Sequence, residues 1–186
     1  MKVVVLTTAI FLSVVVGRGI AKAGASMNDS SPEGHFPNVK ASNLAKRELS
    51  LPADLEGERN LLLVAFEREQ QKDIDTWLRQ MKAFETLDSR FRYYELPTIA
   101  TSNSLTRWFI DNGMRRGIPD HQARERTITL YVDKKAFCNA LLISDQKQIY
   151  AFLVDRTGKV LWRAMGDLDE VKVESLKHTI QDLTRR

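Results

Sequence analysis

Apolar positions along the chain fall into short blocks whose period switches between strand-like runs and helix-like stripes, the pattern of alternating strands and helices. Leu61 to Phe66 is a continuous apolar run, Leu-Leu-Leu-Val-Ala-Phe, with the length of a strand buried on both faces. Ile74, Trp77, Leu78, Met81, Phe84 and Leu87 then recur at spacings that place them on one face of one helix. Asp73 or Asp75 near its start favours the positive end of the helix dipole. Phe91 to Leu96 reads as a second strand, stopped by Pro97. Ser104 is placed to cap a helix through Leu105, Trp108, Phe109 and Ile110, with Asn112-Gly113 as its stop signal.

Thr127 to Val132 is β-branched and aromatic and predicts a strand, and a short apolar helix follows around Phe137 to Ile143. Ile149 to Val154 and Val160 to Ala164 flank a Gly-bearing turn, Asp155-Arg156-Thr157-Gly158-Lys159, and predict a hairpin. In that turn the Asp bonds its own backbone and the Gly accepts a positive φ. Val173, Leu176, Ile180 and Leu183 mark a last helix. The elements sum to an α/β fold, a mixed central sheet flanked by helices on both faces. Trp77 and Trp108 both lie on apolar helical faces and are assigned to the core.

The N-terminus differs. Lys2 opens a short positive region, and Val3 to Val16 are apolar apart from Thr7, Thr8 and Ser13. Ala21-Lys22-Ala23 and Ala23-Gly24-Ala25 offer small-x-small cleavage sites, so residues 1–25 read as a secretory signal peptide and the protein as periplasmic or otherwise exported. The alternative is an uncleaved N-terminal membrane anchor. Residues 26–48 lack apolar periodicity and read as a flexible leader, leaving 49–186 as a single folded domain.

Charge and cysteine content narrow the function. Of 28 basic residues, Lys2, Arg18 and Lys22 lie in the segment to be cleaved, leaving 25 against 24 acids. No basic stripe for nucleic acid remains. One cysteine excludes a disulfide scaffold and zinc fingers, and three unpaired histidines (35, 121 and 178) argue against a metal site. No cofactor is expected.

Leu49-Ser50-Leu51-Pro52-Ala53-Asp54-Leu55-Glu56-Gly57, followed by the strand at 61–66, resembles the entry to exported thioredoxin-like domains. Residues 150–162, Tyr-Ala-Phe-Leu-Val-Asp-Arg-Thr-Gly-Lys-Val-Leu-Trp, resemble their closing hairpin. The Trp77 and Trp108 helices and the ending Gly-Lys-Val-Leu-Trp-Arg-Ala-Met-Gly (158–166) are most similar to the mitochondrial ATP synthase assembly factor family. That resemblance implies a redox-inactive branch of the thioredoxin-like proteins. Its oxidoreductases place Cys-x-x-Cys just after the first long strand, where the helix dipole lowers a thiol pKa. Here that stretch is Glu67-Arg68-Glu69-Gln70-Gln71-Lys72-Asp73, and the position of the cis-proline opposite it falls at or near Ile149.

Several residues remain as candidates. The 67–73 loop is expected to stand exposed above the sheet, with Glu67, Arg68 and Glu69 as partner contacts. Arg115, Arg116, Arg124 and Arg126, near His121 and Lys134-Lys135, form the densest positive region, on a Gly/Pro-marked connection. Arg115 and Arg116 are therefore candidate partner contacts, since guanidinium forks bind anionic groups bidentately. Cys138, flanked by apolar residues, reads as an inert core thiol, and the sharper alternative is a lone reactive thiol. Glu95, at a strand end beside Pro97, is an acid/base candidate with no second carboxylate placed beside it by spacing.

The favoured reading is an exported, non-catalytic thioredoxin-like protein that binds a protein partner and aids assembly of a membrane complex, with peripheral membrane association as a further expectation. The alternatives are a thiol-dependent or acid/base enzyme using Cys138 or the Glu95 and Arg-rich region, and a small-ligand binding module.

Overall fold

The computed structural model describes residues 34–101 and 103–185. The proposed signal peptide, and residues 26–33 of the proposed leader, lie outside the described residues. Seven strands, β1 (Val39–Asn43), β2 (Glu48–Leu51), β3 (Arg59–Ala65), β4 (Phe91–Ala100), β5 (Ile128–Val132), β6 (Tyr150–Val154) and β7 (Val160–Met165), form one sheet in the order β2-β1-β5-β4-β3-β6-β7. The three central strands β3, β4 and β5 are parallel, and the flanking pairs are antiparallel. The helices are α1 (Gln71–Leu78), α2 (Met81–Leu87), α3 (Ser104–Gly117), α4 (His121–Arg126), α5 (Lys134–Ala140) and α6 (Glu170–Thr184), with a 3₁₀ turn at Arg68–Gln70 before α1.

The apolar run on β3 explains its central place, because alternate residues enter the core on each face of the sheet. Leu62 and Val64 join Leu96, Leu130, Phe152, Phe137 and Cys138 on one side. Leu61 and Leu63 join Trp77, Met81, Phe84, Leu153, Leu176 and Ile180 on the other. Each large apolar side chain buried in this way contributes roughly 1.5–3 kcal/mol relative to leaving it in water. A buried ion pair locks the base of β3. Arg59 meets Asp88, whose side chain is 2% exposed, and Arg59 also donates to the Leu183 carbonyl at the end of α6. The hairpin turn is as expected: Asp155 Oδ1 accepts from Thr157 N at 2.9 Å and Lys159 N at 3.0 Å, and Gly158 has φ of +94°.

Six expectations need correction. The leader does not extend to residue 48. Phe36 is fully buried and its N–H donates to the Gly158 carbonyl at 2.8 Å, while β1 pairs with both β2 and β5. Its sparse apolar residues (Phe36, Val39, Ala41, Leu44) carry no clean period, because a hairpin added to an existing sheet buries them irregularly. Pro97 does not stop β4. It lies opposite Ala65, the last residue of β3, so its missing N–H falls at the end of that ladder, and β4 continues beside β5 to Ala100. The single helix expected over 74–87 breaks at Arg79 and Gln80, yet Ile74, Trp77, Met81 and Phe84 still face one core.

Asn112-Gly113 does not end α3, which runs to Gly117 and stops where Ile118, preceding Pro119, turns extended (φ −115°, ψ 92°). Its N-cap is Asn103, whose side chain accepts from Thr106 N, rather than Ser104. Trp108 is not a core residue: it is 58% exposed, while Trp77 is fully buried and donates its indole N–H to the Gly166 carbonyl.

Candidate functional site

The parallel strands run in one direction, so the loop after β3 and the loop after β4 emerge at the same end of the sheet. At that end the stretch expected to hold a redox motif is a closed structure. Glu67, Arg68 and Glu69 are exposed as expected, but Gln70 turns inward and is 4% exposed. Its Oε1 accepts from Phe66 N at 2.7 Å and from Glu67 N at 3.3 Å, and its Nε2 donates to the Gln146 carbonyl at 2.7 Å. One amide thus ties the end of β3 to the segment leading into β6. Three residues on, at the position expected for a cis-proline, Ile149 is fully buried beside Trp77 and accepts from Gly166 N. The cis peptide among the described residues is Leu51–Pro52, at the end of β2.

Cys138 is remote in sequence from this corner but not in space. It lies on α5, 5% exposed, and its thiol reaches the Gln146 side chain. Burial pushes the thiol pKa up, and the charge of Lys134 and the Gln146 hydrogen bond only partly oppose it. A protonated, buried thiol is a poor nucleophile at neutral pH. Cys138 is thus part of the core beside Phe137 and Leu141.

Glu95 is a mid-strand residue on the interior strand β4, not at a strand end. A second carboxylate does stand near it. Gln71 Nε2 lies 3.1 Å from Asp75 Oδ1 and 3.3 Å from Glu95 Oε2, bridging the two acids. Burial raises the Glu95 pKa, and the negative charge of Asp75 adds to that rise against the Gln71 hydrogen bond. Helix periodicity cannot reveal this pair, since one carboxylate is on a helix and the other on a strand 20 residues later in the chain.

The arginine-rich region is not a patch. Arg115 turns inward: its Nε donates to the Leu44 carbonyl at 2.7 Å and Nη1 to Asn112 Oδ1 at 2.9 Å. Arg124 donates to the carbonyls of Ile118 and Arg115, and Arg126 pairs with Glu85 and lies 4.2 Å from the Tyr93 ring centre. These guanidinium groups clip loops to the body of the protein. Arg116 is exposed. It lies at the opposite end of the parallel strands from Glu67–Glu69, because Leu44 bonds Thr127 at the start of β5. The structure therefore does not bring the two sets of candidate contacts together.

A polar cleft of about 420 Å³ also opens near the start of β4, lined by Arg47, Glu56, Arg92, Glu125 and Arg126 among others. Its mixed charges favour no single ligand class. No group of three or more His, Cys, Asp or Glu side chains able to hold a metal ion occurs among the described residues.

No curated protein matches this sequence. Among solved structures the fold is similar to the thioredoxin domain of a thiol-disulfide oxidoreductase from Bacteroides vulgatus, with a TM-score of 0.53 and 18% identity over 81% of this chain and 98% of that one. It is similar also to a thiol-disulfide oxidoreductase from Bacteroides fragilis (0.50, 14%, 77% and 98%). The exposed lipoprotein thioredoxin of Streptococcus pneumoniae is a third (0.52, 8%, 76% and 98%). At these identities the likeness carries the fold alone, and the fold is thioredoxin-like. The family described as ATP10 protein matches residues 28–183, and the chain belongs to that family.

Proposed function

We propose that the protein is an exported, redox-inactive assembly factor that binds a protein subunit of a membrane complex, the ATP synthase membrane sector being the partner its family suggests. The observation that carries this reading is Gln70. In a chain with one cysteine, the corner where a thioredoxin-like enzyme works is closed by a buried amide that bridges two loops. The fold is retained, and its outer surface at this corner offers Arg68 and Glu69 to a partner. The apolar segment Val3 to Val16 supports export, which in a bacterial cell puts the protein on the side of the membrane away from the synthase catalytic head. On this reading its contact is with a membrane subunit's exported loops.

The test is affinity capture of the C-terminally tagged protein from gently solubilised envelopes, with mass spectrometry of what co-purifies. The expected result is a stoichiometric ATP synthase membrane subunit, lost in an Arg68→Glu/Glu69→Lys variant that folds normally. Recovery of the protein alone, or capture that the variant leaves unchanged, overturns the proposal.

A further inference from the structure

Helix α3 is built inside out. Polar side chains on its inner face make specific bonds to the sheet beside half-buried Ile110 and Met114, while Leu105, Trp108 and Phe109 face outward. Tyr131 on β5 reaches it from below, with the hydroxyl donating to Asp111 Oδ1 at 2.9 Å and lying 3.2 Å from the Arg107 carbonyl. The Arg107 guanidinium lies over the Tyr131 ring at 4.9 Å, and Arg115 reaches the Leu44 carbonyl. No residue of α3 is buried. On the outer face Leu105, Trp108 and Phe109 are 64%, 58% and 63% exposed, and Trp108 and Phe109 pack edge to face with ring centres 5.1 Å apart. A helix held by polar contacts on its inner face keeps this apolar ridge outward instead of rolling it into the core.

We infer that the outer face of α3 docks on the surface of an anionic lipid bilayer. Three observations select that occupant. First, the ridge combines leucine, tryptophan and phenylalanine, the side chains that settle at the boundary of headgroups and acyl chains. Second, the charges on α3 are complementary to such a surface. The one acid of the helix, Asp111, turns inward to Tyr131, as do Arg107 over the Tyr131 ring and Arg115 to the Leu44 carbonyl, so the charge of the outer face is set by Arg116. Arg116 stands exposed on the outer face, three turns along from the ridge's start. Third, α3 has 14 residues, about 21 Å at the helical rise, which is enough to lie along a membrane and too short to cross one. The inference is independent of the protein partner proposed above.

The full-length protein is mixed with vesicles of phosphatidylcholine alone or with phosphatidylglycerol, and bound protein is read by flotation. Vesicles containing lipids brominated on their acyl chains report the depth of tryptophan by fluorescence quenching. Trp77 is fully buried and Trp162 is half-buried with its indole N–H bonded to Ser175 Oγ, so quenching reports Trp108. The expected result is quenching on phosphatidylglycerol vesicles that disappears in Trp108→Phe while that variant still floats. Leu105→Ser/Phe109→Ser is expected to abolish the Trp108 quenching, and Arg116→Glu to weaken it on anionic vesicles only. Absence of quenching on vesicles that carry the protein overturns the inference, as does failure to float. Concentration-dependent dimers that Trp108→Ala dissolves, with no quenching, would assign the ridge to a second copy instead and likewise overturn it.

Discussion

Replacing Gln70 with alanine removes three hydrogen bonds at once, and their geometry sets the expected cost. The bond to Phe66 N is 2.7 Å long and buried, so its loss leaves a backbone donor without water. The bond to the Gln146 carbonyl is equally short but partly buried, and that to Glu67 N is long at 3.3 Å. An unsatisfied buried polar group costs roughly 1–3 kcal/mol, and groups that water can reach cost less. Taking the full cost for Phe66 N and a smaller one for Gln146 gives a destabilisation of about 2–4 kcal/mol. Urea unfolding measures it, and amide hydrogen exchange localises it, since Phe66 should lose protection while Leu62 on the same strand keeps it. Gln70→Glu keeps the acceptor but supplies a donor to Gln146 only when protonated. A Gln70→Ala variant within about 0.5 kcal/mol of the wild type, with Phe66 protection unchanged, would refute the bridge as a structural element.

Two further predictions concern the groups around this frame. Asp88→Ala leaves Arg59 buried without its partner and should destabilise by about 3 kcal/mol at neutral pH. Burial alone would raise the Asp88 pKa, but the Arg90 backbone hydrogen bond and the charges of Arg59 and Arg90 hold it below its ordinary 3.8. The contribution is therefore complete above pH 3.8 and fades as pH falls through the folded-state value, so the gap between wild type and variant should narrow in acid unfolding curves. Cys138, buried with a raised pKa, should resist alkylation by iodoacetamide at pH 7 in the native protein and react fully in urea. Rapid stoichiometric labelling of folded protein would return the reactive-thiol alternative.

Much of the frame is visible in the chain itself. The doubly buried run of β3, the Asp-Gly turn between β6 and β7, and the stripes of α1, α2 and α6 are local patterns, fixed by the period of apolar residues and the conformations that Asp and Gly prefer. The missing cysteine pair is equally a fact of sequence. The nature of the corner it left is not. Gln70 sits in a run of charged and polar residues, and nothing local separates it from exposed Glu69, because its partners lie at Phe66 and, 76 residues away, at Gln146.

Tertiary structure also decided which apolar faces are covered. Trp77 and Trp108 occupy similar stripes, yet one faces β3 and β6 and the other faces outward, because the sheet presents Tyr131 and the Leu44 carbonyl to α3 and these bind arginine and aspartate. The order of the strands likewise carried β4 past Pro97 and drew β1 into the sheet. A period records only that a segment has an apolar side. What that side meets depends on which strands become neighbours, and that is settled by contacts between residues far apart in the chain.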